Sequence, residues 1–146
     1  MSGIKVGIDG SAHSARALEW ALNEAAVWHA PVTVLTVHPV AMNAWIGTPI
    51  ILPQDPADLE ESRQAAEEMT AKALSQLGGD DRPSSVTVRA ITGFPAQALI
   101  EESRTADLMV VGSRGGGGFG KLLVGSVSNQ VVHHGHCPIV VVPSER

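Results

Sequence analysis

Residues 108–142 read LMVVGSRGGGGFGKLLVGSVSNQVVHHGHCPIVVV. Leu108 to Val111 is a short, nearly uniform apolar run, the pattern of a strand buried on both faces. Glycine then crowds Ser113 to Lys121. Gly125-Ser126 opens a helix that reaches Gly135, and Ile139 to Val142 is a second strand. Strand, glycine-rich turn, helix and strand in that order make a βαβ unit, and this unit sets the reading of everything before it.

Working outward, Ile4 to Ile8 is an apolar strand ended by the turn residues Asp9-Gly10-Ser11. Ala15 to His29 carries Ala17, Leu18, Ala21, Leu22, Ala25 and Ala26, one stripe of a helix laid on a sheet. Pro31 stops it, and Val32 to His38 is a second strand. Four of the nine prolines fall between Pro39 and Pro56, which excludes regular structure there. The same stretch holds Met42, Trp45, Ile46, Ile50, Ile51 and Leu52, so it reads as an apolar loop that covers a site or meets a partner. Ala57 to Leu77 is a charged helix ended by Gly78-Gly79, with Leu59, Ala66, Met69, Ala73, Leu74 and Leu77 on its buried side. Val86 to Ile91 is a strand, and Pro95 to Ser103 a short helix with proline in its first turn.

Alternation of this kind predicts an α/β fold, a three-layer αβα sandwich on a five-stranded parallel sheet of order 3-2-1-4-5. The first and fourth strands then lie side by side where the winding reverses, and ligands bind outside the carboxyl ends of strands at such a point. Asp9 and Gly112 would line that crevice. The whole chain, residues 1–146, is expected to be a single domain.

Composition narrows the function. The net charge is −5, from 15 acids against 10 bases, the wrong balance for a nucleic-acid surface. Aromatics are only 3%, too few for a base-stacking platform. A single cysteine, Cys137, forbids an internal disulfide and fits a reducing cytoplasm. The start MSGIKVGIDGS has no signal-peptide pattern, and no apolar run is long enough to span a membrane. The expectation is a cytoplasmic protein.

Glycines after the fourth strand let the backbone approach a ligand closely, and successive N–H groups there form an anion nest. The helix opening at Gly125-Ser126 adds orphan N–H donors and the positive end of its dipole. Ser126 or Ser128 would cap that helix or bond a phosphate oxygen. With the Asp9 carboxylate opposite, the ligand these groups call for has phosphates at one end and hydroxyls or amines at the other, as a nucleotide does.

The spacing Gly112-x2-Gly115-x9-Gly125-Ser126 resembles the nucleotide-binding signature of the universal stress protein family. Asp9-Gly10-Ser11 and the ending His136 to Val142 are similar to that family too, so the resemblance runs the length of the chain. It implies a Rossmann-like, adenine nucleotide alpha hydrolase-like fold that binds ATP, with Mg²⁺ or Mn²⁺, in a regulatory stress-response role. By resemblance Ile8 and Asp9 meet ribose or adenine, and Val37 takes the adenine edge through its backbone. Val111, Gly112 and Gly115 line the ribose and phosphates, and Gly125, Ser126, Val127 and Ser128 hold the phosphates. Arg114 either neutralises phosphate charge or is a surface base, as is Lys121. The apolar last strand, Ile139 to Val142, is expected at the sheet edge, where bare backbone invites pairing. A homodimer of two such strands follows, and the resemblance implies the same.

Rival motifs fit less well. Gly115-x4-Gly120-Lys121 approaches a P-loop, but Leu122 stands where a hydroxyl should hold Mg²⁺. Gly115-x-Gly117-x-x-Gly120 matches a dinucleotide fingerprint without its downstream acid. His133, His134 and His136 read as structural groups at a helix end. Cys137 reads as a small buried residue. Glu60-Glu61, Glu67-Glu68 and Glu101-Glu102 read as solvated faces. With no nucleophile elbow and no evident water activator, hydrolysis would be slow at most. The alternatives are a slow ATPase, or the same fold binding AMP, cyclic AMP or only a protein partner.

Overall fold

The computed structural model describes residues 2–39, 56–113 and 125–143. In chain order these form β1 (Ile4–Ile8), α1 (Ala12–Trp28), β2 (Pro31–Pro39), α2 (Pro56–Ser75), β3 (Ser85–Gly93), α3 (Pro95–Glu102), a 3₁₀ turn (Ser103–Thr105), β4 (Leu108–Gly112), α4 (Ser126–His134) and β5 (Ile139–Val142). The five strands make one parallel sheet of order β3-β2-β1-β4-β5, the order expected from the sequence. The segment from Val40 to Asp55, with its Trp45 cluster, lies outside the described residues.

Side-chain alternation along the strands builds two cores. Ile4, Val6 and Ile8 of β1, with Val32, Val34, Leu108 and Val110, face α1 and α2. The alanine stripe of α1 presents small side chains there, so Leu18 and Leu22 sink completely against the sheet. Each such leucine contributes about 1.5–3 kcal/mol. On the opposite face, Leu35, Met109 and Val111 pack on Leu99 of α3 and Val131 of α4. Gly7 sits under α3: a Cβ there would lie 2.9 Å from Leu99 Cδ1, so a larger residue would force the Leu99 side chain to shift.

Where the elements differ from expectation, a local polar group explains it. α1 starts three residues before the predicted Ala15 because Ser11 caps it, its Oγ accepting from the Ser14 amide at 3.2 Å. Its end is fixed by His29 in the left-handed conformation (φ 52°), whose amide returns to the carbonyls of Ala25 and Ala26. The buried face of α2 includes Thr70, invisible to an apolar count because its Oγ1 donates to the Ala66 carbonyl at 2.7 Å. Asp107 ties the starts of two strands together. Its Oδ2 accepts from the Gly3 amide at 2.6 Å, while its own amide donates to the Gly3 carbonyl at 2.9 Å.

Lys5, in the middle of β1, is 7% exposed. Its Nζ donates to Glu102 Oε2 at 3.2 Å and to Thr105 Oγ1 at 2.7 Å, and Glu102 also accepts from Arg89 at 2.5 Å. The reading of Glu101-Glu102 as a solvated face is therefore corrected for Glu102. Glu101 does lie at the surface, beside Arg104. One carboxylate, largely buried, joins β1, β3 and α3. Cys137 is half-buried against the second core, and its Sγ donates to the Pro138 carbonyl at 3.3 Å. Burial pushes its thiol pKa up, against a smaller opposing backbone hydrogen bond from Met109.

Glu102→Gln leaves an ammonium buried without its counter-charge and is expected to cost about 2–3 kcal/mol in urea unfolding, below the fully buried range because the pair lies near the surface. Lys5→Met leaves Glu102 its Arg89 partner and should cost less, about 1 kcal/mol or under. Equal losses would show that the Lys5 charge needs no compensation. For Cys137, a raised native pKa means less thiolate at pH 8 than in the unfolded chain. Alkylation by iodoacetamide should be slower in the native protein than in urea, the gap narrowing as pH rises. The same shift takes stability away as pH climbs past the unfolded thiol's value of about 8.5.

Candidate functional site

The register of the sheet opens a crevice at one place. β1 and β4 pair only from Ile4–Leu108 to Val6–Val110. β1 stays paired with β2 as far as Ile8–Thr36, and β4 with β5 as far as Gly112–Val142. Beyond Val6 and Val110 the two central strands are thus each bonded on one side only. Their carboxyl ends diverge, and the chain leaves β1 for one face of the sheet and β4 for the other.

The β1 side supplies Ile8 and Asp9. Ile8 is 6% exposed and its side chain belongs to the α1 core, so only its backbone borders the crevice. Asp9 is exposed, and its Oδ1 accepts from both the amide and the hydroxyl of Ser11, at 3.0 and 2.5 Å. Val37 lies near the carboxyl end of β2, its side chain packed on the second core, which leaves its backbone as the group it can offer.

The β4 side supplies Val111, which is buried, and Gly112, which pairs with Val142. The Ser113 amide continues that pairing, donating to the Val142 carbonyl at 2.9 Å. Arg114 and Gly115 lie outside the described residues, as do Lys121 and both rival glycine motifs. The chain re-enters at Gly125, the N-cap of α4, in the left-handed conformation (φ 78°, ψ 7°). The N-cap is a glycine with no side chain to offer, so of the two roles expected of Ser126 or Ser128, capping and bonding a phosphate oxygen, the cap position falls to Gly125 instead. Ser126 is its first residue and exposed. Val127 packs on the second core, and Ser128 is buried beneath Gly125.

Gly125 is fixed by space as well as by φ. A Cβ there would lie 3.2 Å from Ser128 Oγ and 3.5 Å from the Ser113 carbonyl. The amides of Ser126, Val127 and Ser128 form the first turn, where a helix has no carbonyl of its own to offer them. The Asn129 amide is the first to be served, by the Gly125 carbonyl at 2.5 Å. A depression of about 490 Å³ lies here, lined by Ser113, Gly125, Ser126, Ser128, Asn129, Val132 and Val141. Ser113 and Asn129 were missed from sequence. Asn129 stands four residues past the glycine, one helical turn, and that spacing is the signal that could have found it.

The histidines stand elsewhere. His133 and His134 end α4, about 12 Å along its axis from Ser126, with ring centroids 6.4 Å apart. Among the described residues no three His, Cys, Asp or Glu side chains gather as a metal site, and no helix is long and apolar enough to cross a membrane.

What the arrangement offers chemically is a polar turn with a carboxylate on one wall of the crevice and a helix amino end on the other. In sequence and fold the chain is similar to known proteins. A universal stress protein of Mycolicibacterium smegmatis is 34% identical over 140 residues, covering 96% of this chain and 47% of the relative. Another, from Mycobacterium tuberculosis, is 38% identical over 144 residues, covering 94% of this chain and 43% of the relative. The chain thus spans about half the length of these curated relatives. A solved universal stress protein in complex with cAMP superposes with a TM-score of 0.67 at 26% identity, covering 98% of this chain and 97% of that one. The profile of the universal stress protein family matches residues 2–143, and with these relatives it places the chain in that family.

Proposed function

We propose that this protein binds ATP in the β1–β4 crevice and acts as a nucleotide-dependent regulator rather than as a catalyst. The observation that carries the reading is Gly125: left-handed, at the head of α4, with Ser128 Oγ and the Ser113 carbonyl close beside the place a Cβ would take. Such a corner leaves the first-turn amides of Ser126, Val127 and Ser128 without helix carbonyls beside Ser113 at the end of β4, where the helix dipole favours a polyanion. The nucleoside end lies toward Asp9, the backbone of Ile8 and the backbone of Val37. Val111 and Gly112 form the floor, and Arg114 and Gly115 complete the phosphate loop. A divalent cation, Mg²⁺ or Mn²⁺, would arrive with the phosphates, since such ions are commonly held by phosphate oxygens with few protein ligands. The reading includes slow hydrolysis at most.

A second reading has one observation behind it, the related structure solved with cAMP. The identity of a nucleotide co-purified with the protein decides between them. Denaturing the protein and separating the released ligand is expected to yield adenosine triphosphate; cyclic monophosphate alone would move the assignment to the second reading. Gly125→Glu should abolish ATP binding in calorimetry while the melting transition persists. The left-handed strain costs about 1–2 kcal/mol, small against a domain stability of about 5–15 kcal/mol. Unchanged ATP affinity in that variant would remove the phosphate assignment.

The protein also pairs with a second copy through the outer edge of β5, whose Ile139 to Val142 backbone faces no neighbouring strand in the sheet order. Val141 on that strand is 38% exposed, consistent with a surface kept for a partner. Light scattering at tens of micromolar should give a dimer, and Val141→Lys should shift it to monomer. A wild-type monomer at that concentration refutes the pairing.

A further inference from the structure

Asp9 does not stand alone at the end of β1. The Ser11 amide and hydroxyl both donate to Asp9 Oδ1, at 3.0 and 2.5 Å. The Ser14 amide donates to Ser11 Oγ at 3.2 Å, and the Ser14 hydroxyl to the Ser11 carbonyl at 2.9 Å. The circuit closes where the Asp9 amide donates to Ser14 Oγ at 3.3 Å. Ser14 is 4% exposed, in the first turn of α1, and its hydroxyl is occupied on both sides by these bonds.

From this circuit we infer that Ser14 is a positioning residue for nucleotide binding, acting through Asp9; the inference rests on the ATP-binding reading above. Ordering a side chain only on binding weakens a complex, and a carboxylate oriented beforehand avoids that cost. Here two donors converge on one carboxylate oxygen and a buried hydroxyl anchors the backbone beneath it. The orientation is set on folding, before any ligand arrives. Ser14 cannot itself touch a ligand, because burial and its two bonds direct it inward. Its amide, which supplies the capping bond to Ser11, is unaffected by a change of side chain, so helix capping and Asp9 positioning can be separated experimentally.

The test is ATP titration into wild type, Ser14→Ala, Asp9→Ala and the double variant. One hydrogen bond of about 1 kcal/mol predicts an approximately fivefold loss of ATP affinity in Ser14→Ala. Ser14→Thr, which keeps the hydroxyl, should retain wild-type affinity. With Asp9 already alanine, adding Ser14→Ala should change affinity less than about twofold, because nothing remains to be positioned. Ser11→Gly gives a second route should Ser14→Ala fail to fold. Glycine is tolerated at an N-cap, removes the hydroxyl donor to Asp9 without supplying another, and should weaken ATP only when Asp9 is present. Wild-type affinity in Ser14→Ala, or the same loss with and without Asp9, overturns the inference, the latter marking a general loosening of the turn. A wild-type protein that takes up no ATP is a different result, one that removes the function reading itself.

Discussion

The early end of pairing between β1 and β4 is the constraint on which the rest depends. A parallel strand is reached only by a crossover, and crossovers of one hand carry the chain to opposite faces when the direction of winding reverses. Here α1 and α2 cover one face, and α3 and α4 the other. The chain must therefore leave β1 upward and β4 downward from neighbouring positions. Ladder bonds between them stop at Val6–Val110, and the carboxyl ends of both strands are left beside the same gap. No choice of side chain makes this opening; it is a property of strand order.

What the sequence contributes is control over how closely each helix may approach the gap. On one face the alanines of α1 let it lie flat along β1 and β4, which brings its capped start, Ser11, beside Asp9. On the other face Gly7 removes the side chain that would hold α3 away from β1. The same face of β1 carries Lys5, whose charge is matched by a carboxylate from the last turn of α3. Glycine and lysine alternate on one strand with opposite jobs: one admits the helix, the other ties its far end. A buried ion pair adds little net stability over an apolar pair, but it penalises any register in which the two charges are apart.

Most of this fold was legible because periodicity reports burial. The β1 and β5 boundaries match residue for residue, and the strand order follows from the alternation of elements. What was not legible is polar structure that only a fold creates. Thr70 hides in a core by bonding its own helix, and Glu102 looks like any surface acid until β1 is laid against it. Asp9, Gly125, Ser126 and Ser128 were picked out from sequence, since turn residues and glycines mark their own corners. Which residue would hold the cap was less legible: Gly125 takes that position in a left-handed conformation that favours glycine, leaving Ser126 one place inside the helix. Ser14 was passed over entirely: its importance lies in a neighbour five residues away, and no spacing rule signals that.

The corner at Gly125 shows how an all-backbone site constrains its own sequence. Left-handed φ alone would admit asparagine or aspartate at modest cost. Ser128 Oγ, 3.2 Å from where a Cβ would go, adds a tight contact that would have to give by a few tenths of an ångström, while the Ser113 carbonyl at 3.5 Å is in ordinary contact. These two groups also line the depression, so a side chain at the corner would press on its lining. Widening the corner to admit another residue would draw apart the groups that shape the cradle. An arrangement of this kind takes its geometry from main-chain amides and keeps it through one left-handed glycine at the head of a helix.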